Sequence, residues 1–398
     1  MSVQTAGPAP TELEISVFGP GYGESVLVHV GHGRWIAIDS CIDPKSNRPR
    51  ALDYLGEIGV DPATAVDFLL ASHWHDDHVR GISEFLRACQ SAVFSCAQAL
   101  TNKEFLQLAA LFEDDSVAAA RSSHELHKCL VDAAERSERS GRPLFRVATS
   151  DKLLWTAALG PAGSEIPVAL TALSPSDEMN LRAIRDMADA FNALSRGVSP
   201  DRIASSRPNH VATAVRLDIG ERSLLLGSDL EDQGDPLVGW AAVLLGTQSL
   251  QRVSETFKVA HHGSESGHLD AVWNQMVRAD PLCLLTPFRH GGHEIPTPAD
   301  RARILALTSR AFISANPHRP AQFTSKRTKK VEALIGAATK SRRQAAGPIG
   351  HVRWRAPIAD PTDPGEVGLF DGAMDLAAVR RFDELDVSPA LRVDSTPS

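Results

Sequence analysis

The chain has 398 residues and a formal net charge of −8, from 41 Lys and Arg against 49 Asp and Glu. A length of this kind fits roughly two to three domains or one large one, and 43% hydrophobic with 23% charged residues excludes wholesale disorder. The negative balance argues against a broad clamp on duplex nucleic acid, and five cysteines without a C-x-x-C pair exclude a disulfide framework or a thiolate zinc cage.

Glu12 to Asp39 reads as three short strands, with Leu13, Ile15 and Val17 alternating, Val26 to Val30 apolar, and Arg34 to Asp39 ending in Ile-Ala-Ile-Asp. The turns Gly19-Pro-Gly-Tyr-Gly and Gly31-His-Gly separate them. A helix is predicted near Arg50 to Ile58, then a buried strand over Val66 to Ser72, then a histidine-rich loop that opens a helix near Gly81. From about Cys96 to Val198 the spacing of apolar residues predicts a mostly helical segment.

Strands return at Val211 to Asp218 and Ser223 to Gly227. Helix and strand then alternate: helices near Gly239, Leu269 and Ala299, and strands at Phe257 to Ala260, Leu282 to Leu285 and Ala311 to Ser314. Hairpins first and alternation later predict sheets covered by helices, an α/β layered domain. Beyond Ala315, Lys326 to Arg343 is basic, Gly350 to Arg355 reads as a terminal strand, and Pro361 to Ser398 is acidic and punctuated by Pro and Gly, with a loose end expected.

No apolar stretch reaches the roughly 18 to 20 residues that span a bilayer. Met1 to Thr11 has neither a basic start nor an apolar run. No membrane association and a cytoplasmic location are therefore expected.

The strongest signal is Ser72-His73-Trp74-His75-Asp76-Asp77-His78, an H-x-H-x-D-H run directly after a predicted buried strand. Three imidazoles and a carboxylate packed together unpaired would be costly to desolvate. On a tight loop, His73 and His75 can face one ion while Asp77 and His78 face another. Imidazole and carboxylate ligands suit zinc, with manganese or iron as alternatives. The competing reading is a solvated His-rich turn.

This run resembles the signature of the metallo-β-lactamase superfamily, and further motifs follow in that family's order. Gly227-Ser-Asp229 closes the strand Leu224-Leu-Leu, and Phe257-Lys-Val-Ala-His261-His262-Gly263-Ser264 resembles the strand-plus-histidine motif. The His-His-Gly-Ser form is similar to the soluble hydrolase domain of bacterial competence (ComEC-type, DNA-uptake) proteins. Gly21-Tyr-Gly-Glu24-Ser25 resembles that subgroup's N-terminal glycine turn, and Trp35-Ile-Ala-Ile-Asp39-Ser40 its strand ending in an aspartate beneath the site.

The resemblance covers about Glu12 to Ala315. It implies an αββα sandwich with a helical insertion at about 96–205, within a hydrolase domain of 12–320. A tail of 1–11 precedes this domain, and a C-terminal extension of 321–398 follows it.

The resemblance also implies a ligand set for two divalent metal ions. His73, His75, Asp77 and His78 come from the first motif, and Asp229 is the bridging aspartate. His210, 19 residues ahead of Asp229, stands where the family places a further histidine. His261 and His262 are both candidates for the last ligand; family motifs in which glycine follows the ligand favour His262. Asp39 would orient a metal-bound histidine through its other ring nitrogen, and Glu24 reads as an exposed turn carboxylate. Ser264 would meet substrate or cap a helix. The segment Arg289-His290-Gly-Gly-His293-Glu-Ile-Pro296 resembles a late His–Pro loop, in which His293 would touch a substrate phosphate or protonate a leaving group and Arg289 would neutralise charge. A plain glycine-rich loop is the rival reading.

Two metals sharing Asp229 and a water would give a hydroxide nucleophile near neutral pH, with Asp77 as both ligand and catalytic group. The expected chemistry is therefore hydrolysis. A phosphodiesterase acting on nucleic acid or a small nucleotide is the first reading, supported by the competence-type motifs, the Arg289–His293 loop and Lys258. Hydrolysis of a lactone, thioester or β-lactam, with Trp74 and Phe288 lining an apolar pocket, is the second. A metal-stabilised binding module is the third. Only 31 residues separate Asp229 from His261, whereas 131 separate His78 from His210. The first interval is too short for the large insertion of RNA-processing relatives; the second has room for a lid. Single-stranded nucleic acid is a candidate partner for the basic segment at 326–343, with a solvated helix face as the competing reading.

Overall fold

A computed structural model of the chain describes residues 6–19, 23–103, 105, 118–196, 208–290, 292–318 and 349–379. The first strands are β1 (Glu12–Gly19), β2 (Ser25–Gly31) and β3 (Arg34–Ile38), joined antiparallel. Helices α1 (Arg50–Glu57) and α2 (Pro62–Ala65) cross to β4 (Val66–Ala71), which pairs parallel with β3. Helices α3 (Asp76–Val79) and α4 (Ile82–Ala88) lead to β5 (Val93–Ala97), and α5 (Ala118–Ser140) leads to β6 (Phe145–Ala148); both strands extend the parallel set.

The second sheet begins with β7 (Lys152–Leu159) and β8 (Ile166–Ala172), followed after α6 (Asp177–Ser195) by β9 (Val215–Ile219) and β10 (Arg222–Leu226). Helix α7 (Gly239–Leu245), β11 (Ser254–Lys258), α8 (Asp270–Gln275) and β12 (Val277–Leu285) continue it. A small hairpin, β13 (Phe288–His290) with β14 (His293–Ile295), precedes α9 (Pro298–Leu307) and β15 (Ala311–Ile313). Strands β16 (Gly350–Pro357) and β17 (Glu366–Phe370) return to the first sheet, and β18 (Met374–Asp375) to the second. The orders are β17-β16-β1-β2-β3-β4-β5-β6 and β18-β15-β12-β11-β10-β9-β8-β7.

Alternation along the strands sets four layers. Leu13, Ile15 and Val17 of β1, Phe68 and Leu70 of β4, Leu224 and Leu226 of β10, and Leu282 and Leu284 of β12 fill one core between the sheets. Their neighbours face outward: Leu69 and Ala71 pack with α1, α4 and α5, while Leu225, Cys283 and Leu285 pack with α7, α8 and α9. Strands buried on both faces read as continuous apolar runs, which is why β4, β10 and the second half of β12 stand out in the sequence. The result is an αββα sandwich.

The segment at 96–205 carries the helices α5 and α6, and it also holds β6, β7 and β8, which lie in the two sheets. The expected terminal strand is present as β16, which pairs with β1 along its whole length and with β17 over His351–Arg355. The basic stretch 326–343 lies outside the described residues.

Candidate metal centre

The parallel strands β3, β4, β10, β11 and β12 end on one side of the sandwich, where open α/β sheets place their ligands. Asp39 follows β3, the His73–His78 loop follows β4, Asp229 follows β10, His262 follows β11 and Thr286 follows β12. Close approach of two strand ends requires a residue without Cβ at Gly227, where an added carbon would meet Ala260 at 2.9 Å.

The loop after β4 turns at once into α3, whose N-cap is His75. That short helix buries Asp77 and His78 side by side. The turn after β11 is tighter. His261 (φ 45°) and His262 (φ 54°) both take left-handed backbone, a conformation that costs non-glycine residues roughly 1–2 kcal/mol each. Such strain collects at functional sites, and here it aims His262 inward while His261 turns away.

Two groups of ligand-type atoms result, each with its members within 4.8 Å of one another: Asp77, His78, Asp229 and His262, and His73, His75 and Asp229. Asp229 belongs to both. His262 Nε2 lies 3.4 Å from Asp77 Oδ2 and 3.5 Å from Asp229 Oδ2. His78 Nε2 lies 3.6 and 3.4 Å from the same two atoms. His73 Nε2 is 3.2 Å from His75 Nδ1 and 3.9 Å from Asp229 Oδ2. Asp77 Oδ2, His78 Nε2, Asp229 Oδ1 and His262 Nε2 are buried with no hydrogen-bond partner. Orphaned polar atoms of this kind are rare in a folded protein and call for an explanation. A divalent cation answers all four, since imidazole nitrogen and carboxylate oxygen are its usual ligands.

The electrostatics agree. Burial alone would lower His262, yet Asp229 and Asp77 raise it to about 9. His78 is likewise raised against its burial by Asp229, Asp77 and Asp39. Burial would raise Asp229, but His262 and His78 hold it well below the usual carboxylate range. Two carboxylates packed this closely call for positive charge among them, carried by protons on the imidazoles or by a cation.

Asp39 braces the centre from below. Its Oδ2 accepts from His78 Nδ1 at 2.7 Å and from the Ser72 hydroxyl at 2.6 Å, and its Oδ1 accepts from the Ser72 N–H at 2.7 Å. The His78 ring therefore keeps its proton on Nδ1 and points Nε2 at the centre. Ligand-type atoms of Glu24, Asp39 and His78 also lie within 4.8 Å of one another, but Asp39 holds His78 by that hydrogen bond and Glu24 is paired with Lys258.

Several residues take places other than those expected from the sequence. His210 lies in the turn Pro208–Val211 and joins neither group. His261 is not a ligand in this arrangement: its Nδ1 lies 3.1 Å from Glu231, 2.7 Å from Ser266 and 2.9 Å from Ser264, and its Nε2 is 3.2 Å from Asn209. Lys258 does not face substrate, because it is 1% exposed and ion-paired with Glu24. Glu24 is itself buried rather than exposed. Trp74 packs edge-on against Phe105 on the helical side, whereas Phe288 lies against the His262 ring at 5.4 Å.

Arg289 and His293 sit on opposite strands of the β13–β14 hairpin, with His293 exposed. Beside it a cleft of about 660 Å³ is lined by Ser264, His293, Arg303 and His318. Motif and spacing do not single out Ser72, Asn209, Glu231 or Thr286. Their only signal is position at a strand end or next to a named motif.

Fold and centre together form an αββα sandwich with a His/Asp cluster able to hold divalent metal. No family model matches the chain and no curated protein matches it in sequence. Among solved structures, the chain is similar to the metallo-β-lactamase fold protein YhfI from Bacillus subtilis, at 13% identity, 76% of this chain, 95% of that one and a TM-score of 0.36. It is also similar to the metallo-β-lactamase SMB-1 bound to 2-mercaptoethanesulfonate, at 13% identity, 65% and 82% coverage and a TM-score of 0.32. The hydrolase AbOPH of the β-lactamase superfamily gives 14% identity, 56% and 72% coverage and a TM-score of 0.30. At this distance, activity has to be argued from the residues of this chain.

Proposed function

We propose that the protein is a dinuclear-metal-dependent hydrolase, and that its substrate is a phosphodiester in a small nucleotide or a single-stranded nucleic acid. The observation that carries this reading is the pair of ligand groups sharing Asp229, with four buried polar atoms otherwise unpartnered. Asp77, His78, Asp229 and His262 would hold one ion, and His73, His75 and Asp229 the other, with zinc preferred over manganese or iron. When bound, such ions supply a nucleophile at neutral pH and Lewis acidity toward the attacked ester.

The chain's own residues do the rest. Asp39 fixes the ring of His78, and Asp229 holds the two halves in register. His293 would give the leaving oxygen its proton, and Arg289 would offset charge on an anionic substrate, while Arg303 at the cleft is paired with Asp300. Because α5 packs on α3 and α4, the segment between His78 and Asn209 supports the reading of a wall that limits access to small or single-stranded substrates. The competence-type motif His261-His262-Gly263-Ser264 also favours the phosphodiester.

Among the described residues, no helix is long and apolar enough to cross a membrane. All five cysteines are buried and unpaired, which supports a cytoplasmic location.

The test is turnover of bis-p-nitrophenyl phosphate against a lactone and nitrocefin by protein loaded with zinc, manganese or iron. Phosphodiester cleavage is expected, with loss of turnover and retained fold in Asp77→Ala and Asp229→Ala. Preferred cleavage of the lactone or nitrocefin would replace the phosphodiesterase reading, and metal binding without any turnover would point to a binding module.

A further inference from the structure

Behind the His262 ring, on the side away from Asp77 and Asp229, lies a buried ionic device that no reaction step uses. The Lys258 ammonium is 2.6 Å from Glu24 Oε2, and the two side chains are 1% and 2% exposed. The Thr286 hydroxyl donates to that same Glu24 oxygen, and its Oγ1 lies 3.0 Å from His262 Nδ1. These residues come from the start of β2 and the ends of β11 and β12, so only the folded sandwich brings them together. A buried ion pair rarely adds net stability over apolar groups of the same volume, which leaves stability a poor reason for it.

We propose that Glu24 and Thr286 form a relay that fixes His262 in its Nδ1–H tautomer, with Lys258 holding Glu24 in place, so that the Nε2 lone pair is aimed between Asp77 and Asp229. A hydroxyl has one proton and two lone pairs, while a carboxylate only accepts. Glu24 therefore takes the Thr286 proton, a lone pair of Oγ1 is left facing Nδ1, and Nδ1 has to bring the hydrogen to that contact. A neutral imidazole protonated at Nδ1 presents a bare Nε2, the form that ligates a metal. The same order recurs across the centre, where Ser72 Oγ donates to Asp39 Oδ2 and lies 3.0 Å from His73 Nδ1. Two hydroxyl relays, one from each sheet, thus present two Nε2 atoms to one site. Glu24, Thr286 and Lys258 are positioning residues: they act through His262.

The inference rests on His262 being a metal ligand, but it is tested without the hydrolytic reaction. Two measurements suffice: the ring-nitrogen NMR correlations of His262 in metal-free protein at about pH 10, above the value of about 9 to which Asp229 and Asp77 raise it so that the ring is neutral, and zinc affinity by competition with a chromophoric chelator. Wild type is expected to give the Nδ1–H pattern. Thr286→Val is expected to lose that pattern and to weaken binding of one zinc by about 10- to 100-fold, with thermal unfolding retained, while Thr286→Ser restores both. Glu24→Gln should act like Thr286→Val, because its amide can donate to Oγ1 and turn the hydroxyl toward Nδ1. If stranding Lys258 prevents Glu24→Gln from folding, the double variant Glu24→Gln with Lys258→Met removes both charges and is read the same way.

Unchanged tautomer and zinc affinity in folded Thr286→Val would overturn the relay and assign the orientation to the Thr286 carbonyl, which is 3.3 Å from His262 Nδ1. Failure to cleave any phosphodiester would sink the proposed activity and leave both measurements standing.

Discussion

Asp229 belongs to both ligand groups, whereas Asp77 belongs to one. That asymmetry makes the two aspartates separable by experiment. Asn keeps the shape of Asp and removes its charge, so Asp229→Asn withdraws an anionic ligand from both sites and Asp77→Asn from one. Metal content after dialysis is the measurement, with about two ions per chain expected in wild type, about one in Asp77→Asn and close to none in Asp229→Asn. Equal losses in the two variants would mean that Asp229 does not bridge. The candidate ligands stand out in the sequence because four of them crowd into six residues, where no apolar core can absorb them. The residues that brace them, Asp39 apart, do not. Ser72, Thr286 and Glu24 are ordinary residue types, and only the convergence of strand ends gives a hydroxyl or a lone acid its meaning. Lys258 misled for the same reason, since a cation one residue beyond the β11 core reads as substrate-facing until its buried partner is known.

Among elements, strands with continuous apolar runs were the easiest to read: β4, β10 and the second half of β12, from Pro281 to Leu285, are buried on both faces. Strands β6, β7 and β8 escaped. Each is partly exposed, and β7 and β8 are rich in alanine, which is depleted in strands, so neither periodicity nor propensity marks them. The strand β16 was seen, but its place was not, because pairing across more than 330 residues leaves no local trace. Its position yields a prediction. Trp354 is 1% exposed in the core between the sheets, its indole N–H donates to the Pro364 carbonyl at 2.9 Å, and Arg222 lies over the ring at 5.5 Å. Trp354→Ala should therefore cost about 3–5 kcal/mol in urea unfolding, as expected for a core tryptophan. A loss below about 1 kcal/mol would mean that the C-terminal strands are dispensable to the sandwich.

At the scale of the whole molecule, histidines outside the centre set the response to acid. His29 on β2 is 1% exposed, and both ring nitrogens are engaged in the neutral form: Nδ1 donates to the Glu12 carbonyl at 2.8 Å and Nε2 accepts from the Gly33 N–H at 3.0 Å. Protonation would take away that acceptor. Burial lowers its pKa to about 4, aided by the Arg355 charge and opposed by the Glu12 carbonyl. His351, buried beside Ser16, is lowered in the same way by burial and by Arg50, Arg353 and Arg355. An unfolded histidine takes up its proton near pH 6.5, so between about 6.5 and 4 the unfolded chain binds more protons than the folded one. Stability that His29 contributes is complete above about pH 6.5 and is lost as pH falls toward 4. The slope from one such group is at most about 1.4 kcal/mol per pH unit. Raised histidines at the centre, His78 and His262, tilt the metal-free profile the other way, so the effect has to be read by difference. In urea unfolding at about pH 5 and pH 7, His29→Gln should flatten the pH dependence by roughly one proton's worth relative to wild type. Parallel profiles in the two proteins would show that His29 is protonated in the folded state, with the Gly33 contact already broken.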